Sequence, residues 1–347
     1  MDKIRFGKTE LLVSRIAFGG IPIQRVGVSE AVGIVRRAIG LGINFIDTAN
    51  NYADSEDKIG IAIKGVPRDS LVLSSKSHAK DKKTFLEHID LSLKKLGTDY
   101  IDLYHHHMIQ TPENYDMIMG EGGAWEGMME AVKAGKVRFP AFSSHSIPMA
   151  LKIMRDGKFD AVQLAFNFFN DEAAAEAIPL AKELDMGFIS MKPFGGGLLS
   201  DAGLALRYLM QFNDIVPDPG IETQEEIEEI VRIVDSGEKF SAEDAAAIEK
   251  IRTESNSVWC HRCGYCNPCP QGIVISGALT IDTFVRRFSL PSVMSMASKN
   301  MEQARGCTEC RECVKKCPYD LDVPALLKEK LIIWDKYLED NNYGYGA

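Results

Sequence analysis

The sequence predicts an α/β protein, in which a (β/α)8 TIM barrel over residues 1–255 precedes a small, mainly α-helical domain over residues 256–347. Three observations lead to this prediction. Eight short β-rich segments alternate with helical segments along the first part of the chain. Polar residues recur where these segments end, and all eight cysteines lie in the last third. Eight parallel strands, each followed by a helix, are the number that closes such a barrel.

The predicted strands are short runs rich in β-branched and aromatic residues, and the helical patterns between them end at glycine. The eight strands are SRIAF (14–18), NFIDT (44–48), LVLSSK (71–76), IDLYHHH (101–107), VRFPAFSS (137–144), AVQLAFN (161–167), GFISMKP (187–193) and DIVPDPG (214–220). The same alternation also fits an open, doubly wound parallel sheet. That alternative is weakened because no G-x-G-x-x-G sequence follows a strand.

The sixth predicted strand shows the two faces expected of a barrel strand. One face is small and polar and the other is large and apolar: Ala161, Gln163, Ala165 and Asn167 against Val162, Leu164 and Phe166. Large apolar side chains pack outward against helices, and the small and polar ones point into the barrel. Polar residues at the carboxyl ends of the strands therefore mark the mouth, where such barrels keep their active sites.

The composition excludes some classes of partner. The chain has 40 basic and 49 acidic residues, a net charge of -9, which gives no basic surface for nucleic acid or an anionic membrane. The first residues lack the apolar core of a signal peptide, and no apolar run approaches the roughly 18 residues that span a bilayer. We therefore expect a cytoplasmic location and no nucleic-acid or membrane partner.

Four titratable residues lie at predicted strand ends. Asp47 and Tyr52 flank the end of the second strand, Lys76 ends the third and His107 ends the fourth. Each has a plain structural explanation when taken singly: a helix cap, a packed ring, a solvated cation or a core histidine. Together at the mouth of one barrel they need a joint explanation, because buried charges require partners.

These four residue types can supply a proton to an oxyanion. A tyrosine is a poor proton donor at neutral pH, and we expect a neighbouring lysine ammonium to stabilise its phenolate and lower its pKa. An aspartate paired with the lysine keeps the ammonium charged and oriented, and a histidine can hydrogen-bond a carbonyl oxygen. The set would protonate that oxygen as hydride reaches the carbon.

On these residues the sequence resembles the aldo-keto reductase superfamily over residues 1 to about 254. The similar segments are NFIDTANNYADSEDKIG, SSKSH and LGTDYIDLYHHHM. The resemblance implies a catalytic tetrad of Asp47, Tyr52, Lys76 and His107, since its Asp-Leu-Tyr-x-x-His pattern selects the last of three adjacent histidines. It also implies an NAD(H) or NADP(H) cofactor and a small-molecule carbonyl or alcohol substrate.

The resemblance further implies which residues hold the dinucleotide. The nicotinamide carboxamide would be held by Ser143, Ser144 and Gln163, and Met191 stands where the family stacks an aromatic ring on the nicotinamide. The pyrophosphate would lie near Lys192, Gly195 and Gly196. Gly220 opens the segment that faces the 2′-phosphate. That segment, GIETQEEIEE, has five glutamates and no basic residue before Arg232. Because these carboxylates should repel a phosphate dianion, we hypothesise that NADPH is not strongly preferred.

The cysteines form two runs with metal-ligand spacing. The second run, CTECRECVKKCP, has the C-x2-C-x2-C-x3-C-P spacing of ferredoxins, in which the fourth cysteine ligates the other cluster. The first run, CHRCGYCNPCP, has one residue fewer before its last cysteine. The predicted ligands are Cys260, Cys263, Cys266, Cys269, Cys307, Cys310, Cys313 and Cys317. Structural zinc is the alternative, and the even spacing ending in Cys-Pro disfavours it.

The two runs resemble a dicluster ferredoxin module of the α-helical type, because the segment 271–306 between them is long and helical in pattern. The resemblance implies two [4Fe–4S] clusters. Cys260, Cys263, Cys266 and Cys317 would bind one cluster, and Cys307, Cys310, Cys313 and Cys269 the other. A redox partner protein is a further expectation.

The leading hypothesis is an oxidoreductase whose clusters exchange electrons. Hydride transfer moves two electrons together whereas each cluster carries one, and the sequence shows no flavin signature to separate them. An electron-transfer or redox-sensing protein, whose barrel binds a nucleotide or partner without turnover, is therefore the second hypothesis. A zinc-containing binding module is the third.

Overall fold

A computed structural model describes residues 1–197, 199–255, 260, 262 and 264–341. The chain divides into two compact units, residues 1–240 and residues 241–347. The helix Ala242–Ser255 falls in the second unit, whereas the sequence analysis counted it with the first. Within the described helices, none is long and apolar enough to span a bilayer.

A short antiparallel hairpin precedes the barrel. Its strands are β1, Lys3–Arg5, and β2, Leu12–Ser14. Phe6 and Val13 of this hairpin pack into one apolar cluster with inward-facing residues of the barrel strands such as Phe45 and Val216, so they close one end of the barrel interior. The segment predicted as the strand 14–18 is divided here: Ser14 ends β2, and only Phe18 belongs to the barrel.

Eight parallel strands then follow in chain order, and each pairs with the next. They are β3 Phe18–Gly19, β4 Phe45–Asp47, β5 Val72–Ser77, β6 Ile101–His106, β7 Val137–Ser144, β8 Ala161–Ala165, β9 Gly187–Met191 and β10 Ile215–Asp218. The first and last strands meet, since the amide of Gly19 donates to the carbonyl of Pro219 at 2.9 Å and the amide of Ala17 to that of Pro217 at 2.8 Å. The predicted eight-stranded barrel is thereby confirmed.

Helices surround this barrel. They are α1 Val28–Gly40, α2 Ser55–Ala62, α3 Lys82–Leu96, α4 Pro112–Met119, α5 Ala124–Lys133, α6 Ile147–Arg155, α7 Ala177–Glu183, α8 Ala202–Met210 and α9 Gln224–Ser236. Local signals set their ends: the Asp81 carboxylate caps the first turn of α3, and Gly97 ends the helix in the left-handed region. Their apolar faces form the main core with the outward faces of the strands, which positions the carboxyl ends of the strands at a common mouth.

The second unit is helical, as predicted. Its elements are α10 Ala242–Ser255, α11 Ile275–Leu279, α12 Ile281–Arg287, α13 Leu290–Arg305, α14 Glu312–Lys315 and α15 Val323–Asp340. The predicted capping box opens α10, where Ser241 and Asp244 bond each other's amides at 3.1 Å. A separate apolar core forms around the buried Trp334, Met301 and Ile281.

Gly60 is the point at which α2 and α3 approach most closely, and it yields a test of the packing. A Cβ at this position would overlap the carbonyl oxygen of Lys95 and lie 3.0 Å from the backbone of Leu96. We expect Gly60→Ala to lower the free energy of unfolding by roughly 1–3 kcal/mol, because backbone must shift to admit the methyl group.

Gly40→Ala in α1 is the matched control, since a Cβ there meets nothing within 4 Å. It should be neutral or stabilising by roughly 0.5–1 kcal/mol, because alanine favours the helix. Urea denaturation followed by circular dichroism measures both variants. Equal effects of the two substitutions would contradict the described packing of α2 on α3.

Candidate functional site

A buried ion pair lies at the mouth of the barrel. Asp47 ends β4 and Lys76 lies in β5, and their side chains are 3% and 1% exposed. The ammonium of Lys76 donates to Oδ2 of Asp47 and, at 2.7 Å, to the carbonyl of Thr48. The Ser74 hydroxyl donates to the other carboxylate oxygen at 2.7 Å. Burial works to raise the pKa of Asp47, but the Lys76 charge and these hydrogen bonds hold it below its usual value.

The ring of Tyr52 lies beside this pair. The Lys76 ammonium is 5.3 Å from the centre of the ring, and the side chain is 7% exposed. Burial, followed by the charges of Asp47 and Asp218, raises the pKa of Tyr52 well above its ordinary value. The expected lowering of this pKa by lysine is therefore wrong for the protein without ligands: the Asp47 carboxylate already pairs with the ammonium, so burial dominates.

His107 completes the predicted set. Its ring lies edge-on to that of Tyr52, with 5.9 Å between the ring centres, and stacks on His78 at 4.0 Å. Burial and then the neighbouring charges of His78 and Lys76 lower the pKa of His107 well below its ordinary value, so the imidazole is neutral. A neutral imidazole can donate one hydrogen bond to a carbonyl oxygen without carrying charge into the site.

The other two adjacent histidines have different surroundings. His105 faces the ion pair, and burial followed by the Lys76 charge lowers its pKa to about 3. His106 points to the opposite face of β6, where it stacks on Phe85 at 4.5 Å and contacts Trp125 and Phe159. Burial lowers the pKa of His106 to about 3 as well. His105 and His106 thus lie on opposite faces of β6.

Gln163 of β8 and Asp218 of β10 join the ion pair through hydrogen bonds. The side-chain Nε2 of Gln163 donates to Oδ2 of Asp47 at 3.2 Å and to Oδ2 of Asp218 at 3.1 Å. Asp218 ends β10 and is buried, and its Oδ1 has no hydrogen-bond partner among the described residues. Burial and the Asp47 charge raise the pKa of Asp218 well above its ordinary value.

The remaining predicted cofactor residues line neighbouring strand ends. Ser143 and Ser144 end β7 and are buried; the Ser143 hydroxyl accepts from the amide of Met108 at 2.9 Å. Met191 pairs with Asp218 in the sheet, and Lys192 follows with its ammonium 2.9 Å from Nε2 of His145. No described contact joins Lys192 to the ion pair.

A glycine turn follows Lys192. Gly195, Gly196 and Gly197 have φ values of 58°, 75° and 93°, a left-handed run that glycine adopts at little cost. Within this turn the amides of Gly195 and Gly197 donate to the carbonyls of Lys192 and Phe194, each at 2.9 Å. Gly220, by contrast, bridges Gly19 at the closure of the barrel.

The glutamates of the segment 221–230 are partly engaged by residues from elsewhere in the chain. Glu222 lies 3.4 Å from Arg25, and Glu228 lies 2.7 Å from Arg37. The Glu226 carboxylate bonds the amides of Glu222 and Thr223 in a capping box at the start of α9. The segment is therefore less negative than its sequence suggests, because the fold brings two arginines to it.

The cysteines of the second unit line two cavities. The first cavity, which is partly open to solvent, is lined by Cys269, Cys307, Cys310, Cys313 and also Cys266. The second is lined by Cys260, Cys266 and Cys317. Cys263 lies outside the described residues. Among those described, no three cysteine, histidine or acidic side chains converge on the position of a single metal ion.

Comparisons with known proteins bear on both units. Residues 15–204, more than half of the chain, match the model of the aldo/keto reductase family, and residues 259–322 match that of the 4Fe-4S dicluster domain. The chain belongs to the aldo/keto reductase family. An L-galactose dehydrogenase from Arabidopsis thaliana is 30% identical over 216 residues, which are 57% of this chain and 66% of that protein. A probable aldo-keto reductase from Glycine max is 24% identical over 59% of this chain and 62% of its own.

Solved aldo-keto reductases share the barrel. One from Bacillus halodurans in its holo form has a TM-score of 0.62 and 23% identity, and the match covers 72% of this chain and 96% of that one. One from Klebsiella pneumoniae, in complex with NADP and acetate, has a TM-score of 0.62 and 22% identity over 72% and 95% of the two chains. This family member therefore carries the shared barrel and, after it, a dicluster domain.

Sequence reasoning did not select Asp218 or His78 as site residues. Asp218 occupies the same kind of position as the predicted residues, a polar group at the carboxyl end of a barrel strand. The rule that selected Asp47 would have found it. His78 lies just past β5, where strand periodicity no longer fixes a side-chain direction.

His106 provides a test of the histidine assignment through pH. Its pKa of about 3 in the folded protein lies below the unfolded value near 6.5, so its contribution to stability is present above pH 6.5 and is lost as pH falls. His106→Phe cannot titrate. Between about pH 8 and about pH 5 it should lose roughly 2 kcal/mol less stability than the unmodified protein.

The measurement is urea denaturation of both proteins at several pH values. The test uses only the pH-dependent part of the difference between their free energies of unfolding. Any constant change caused by the larger ring cancels. A difference that does not vary with pH would show that His106 is protonated or hydrated in the folded state.

Proposed function

We propose that this protein interconverts a carbonyl and an alcohol with a nicotinamide cofactor, through Asp47, Tyr52, Lys76 and His107, and that two [4Fe–4S] clusters exchange electrons in the second unit. The observation that carries the first part is the meeting of these four side chains at one barrel mouth. They come from the ends of three strands, β4, β5 and β6, and no packing requirement of the barrel brings an ion pair, a phenol and an imidazole together.

Unpaired polar atoms at the mouth support a ligand site. Buried polar groups in folded proteins nearly always have a partner. Here the buried Nδ2 of Asn50, Nδ1 of His107 and Oδ1 of Asp218 have none within the described part of the chain. A polar ligand in the mouth would satisfy them.

The residues present fit a nicotinamide dinucleotide. The Nε2 of Gln163 is engaged by two carboxyl groups, which leaves its Oε1 to accept from a carboxamide. Gly195 and Gly196 follow Lys192 in a turn without side chains, which would let a pyrophosphate approach the backbone closely. A reduced nicotinamide supplies a hydride when bound, and each [4Fe–4S] cluster stores or releases one electron.

The chain's own groups would handle the proton. Burial raises the pKa of Tyr52, so its phenol is protonated and its hydroxyl can donate a hydrogen bond to a substrate oxygen. An oxyanion that develops on the substrate would be a far stronger base than the groups around the phenol, so it would take the phenol's proton. The Lys76 ammonium would then stabilise the phenolate that forms. Neutral His107 would orient the substrate oxygen by hydrogen bonding.

The charges of the segment 221–230 bear on whether NAD(H) or NADP(H) is bound. The capping-box carboxylate of Glu226 and the charges of Glu225 and Glu229, which form no ion pair with another described residue, still disfavour a 2′-phosphate, which favours NAD(H). The approach of Arg25 to Glu222 reduces this discrimination. Both dinucleotides are therefore proposed to bind, without strong preference for NADPH.

The two cavities support the proposed crossing of cluster ligands. One cavity unites Cys269 of the first run with three cysteines of the second, and the other unites Cys317 of the second run with cysteines of the first. Thiolates at the edge of apolar cavities are the donor set of [4Fe–4S] clusters. The second candidate function, electron transfer or redox sensing without turnover at the barrel, rests on these same cavities.

Tyr52→Phe tests the enzymatic proposal. It removes only the phenolic hydroxyl, so we expect kcat for carbonyl reduction to fall by roughly 10²–10⁴-fold while dinucleotide affinity is retained. The assay follows dinucleotide oxidation with a panel of aldehydes, ketones and quinones. Tyr104→Phe is the matched control, because Tyr104 is equally buried but bonds Ser92 on the outer face of β6.

A Tyr52→Phe enzyme as active as the Tyr104→Phe enzyme would rule out the tetrad. Dinucleotide binding with no reduction by the unmodified protein, across the whole panel, would favour the second candidate function.

Anaerobic purification tests the clusters. We expect about eight iron and about eight sulfide per chain and broad visible absorbance, as two [4Fe–4S] clusters require. Cys317→Ser should alter the electron paramagnetic resonance signal of one cluster, and Cys269→Ser and Cys310→Ser that of the other. Ser276→Ala, which changes a cavity residue that is not a ligand, is the control. A colourless protein with about two zinc ions would contradict the proposal.

A further inference from the structure

A second carboxyl group lies against the ion pair. The Oδ2 of Asp218 and the Oδ2 of Asp47 accept from the same Nε2 of Gln163, at 3.1 and 3.2 Å. The Oδ1 of Asp218 lies close to Gly19, 3.0 Å from the place that a Cβ on this glycine would occupy. No described group donates a hydrogen bond to this oxygen. Nothing in the proposed reaction requires this residue.

The charges around Asp218 do not balance if both carboxyl groups are ionised. The titratable groups that face it are Asp47 on β4, Lys76 on β5 and Tyr52 beyond β4, with His105 on β6 behind them. The histidine and the phenol are neutral, so one ammonium faces two carboxyl groups. A buried carboxylate without its own cation is strongly disfavoured, and neighbouring carboxyl groups commonly share a proton instead.

We propose that Asp218 is a positioning residue that keeps its proton at neutral pH and donates a hydrogen bond to the Asp47 carboxylate, so that the two carboxyl groups and Lys76 together carry no net charge. The Asp218 hydroxyl and the Gln163 amide then hold the Asp47 carboxylate from one side while Lys76 and Ser74 hold it from the other. The direction of the pKa of Asp218, raised by burial and by Asp47, agrees with this geometry.

This arrangement bears on which form of the cofactor is favoured, a step that rests on the proposed function. A neutral mouth suits the uncharged dihydronicotinamide ring. The oxidised ring is a cation, and its entry favours loss of the proton from Asp218, since an opposite charge nearby stabilises a carboxylate. Oxidised dinucleotide should therefore bind more tightly as pH rises, whereas reduced dinucleotide should not.

The first experiment needs neither nucleotide nor substrate. Because the pKa of Asp218 is higher in the folded than in the unfolded protein, its stabilising contribution is complete below the unfolded value and is lost as pH rises toward the folded value. Asp218→Asn keeps the shape and the donor but cannot ionise. The folding equilibrium constant of the unmodified protein, divided by that of this variant, should fall roughly tenfold per pH unit upward from about pH 4.

The control is Asp116→Asn, which removes a carboxyl group from an exposed position on α4 and is measured in the same way. A ratio for Asp218→Asn that is flat from about pH 4.5 to about pH 8, or one that rises, would show that Asp218 is an ordinary carboxylate and would overturn the proposal. This outcome leaves the tetrad untouched, because that is tested by Tyr52→Phe.

The second experiment compares dissociation constants for NAD⁺ and NADH between about pH 6 and about pH 9. The dissociation constant for NAD⁺, divided by that for NADH, should fall as pH rises in the unmodified protein and stay constant in Asp218→Asn. The same fall in both proteins would assign the pH dependence to another group and refute the role of Asp218. Failure of both dinucleotides to bind would count against the proposed function and leave the folding result as the test of the shared proton.

Discussion

The ion pair between Asp47 and Lys76 is the interaction on which the rest of the barrel mouth depends. Two charges removed from water carry a large desolvation cost, which only good geometry and further hydrogen bonds offset. The fold supplies both: the pair spans adjacent strands, and the carbonyl of Thr48, the hydroxyl of Ser74 and the amide of Gln163 complete its coordination. Removing the Lys76 ammonium would leave two buried carboxyl groups without a cation. This one charge therefore holds together side chains from four strand ends.

The imidazole and phenol groups that surround that pair are neutral. Burial keeps His105 and His107 as imidazoles and Tyr52 as a phenol, and the second carboxyl at Asp218 is raised in pKa by its neighbour. The outcome is a site with one fixed dipole and several uncharged donors and acceptors. Such a preorganised environment suits a reaction in which charge develops on a substrate oxygen, because the donors need not reorganise when that charge appears.

The sequence predicted the barrel, the helical second unit and the position of the ion pair, because strand alternation and polar strand ends are local signals. It placed the first strand too early, since SRIAF continues from a hairpin whose partner, residues 3–5, has too short a pattern to detect. It misjudged the pKa of Tyr52, because the pairing of Lys76 with Asp47 and the presence of Asp218 depend on side chains that meet only in the closed barrel. It likewise overstated the negative charge of the segment 221–230, to which folding brings Arg25 and Arg37.

The second unit is organised differently, because its main feature is two cavities lined by thiols from both cysteine runs and not a buried ion pair.

For the barrel, the most direct test is the carboxyl carbon resonance of Asp47, assigned by comparison with Asp47→Asn and followed across pH. The account predicts that this resonance stays at the position of a carboxylate from about pH 8 down to about pH 4, since the Lys76 charge holds the pKa of Asp47 below its usual value. A resonance that moved to the position of the protonated acid near neutral pH would contradict it.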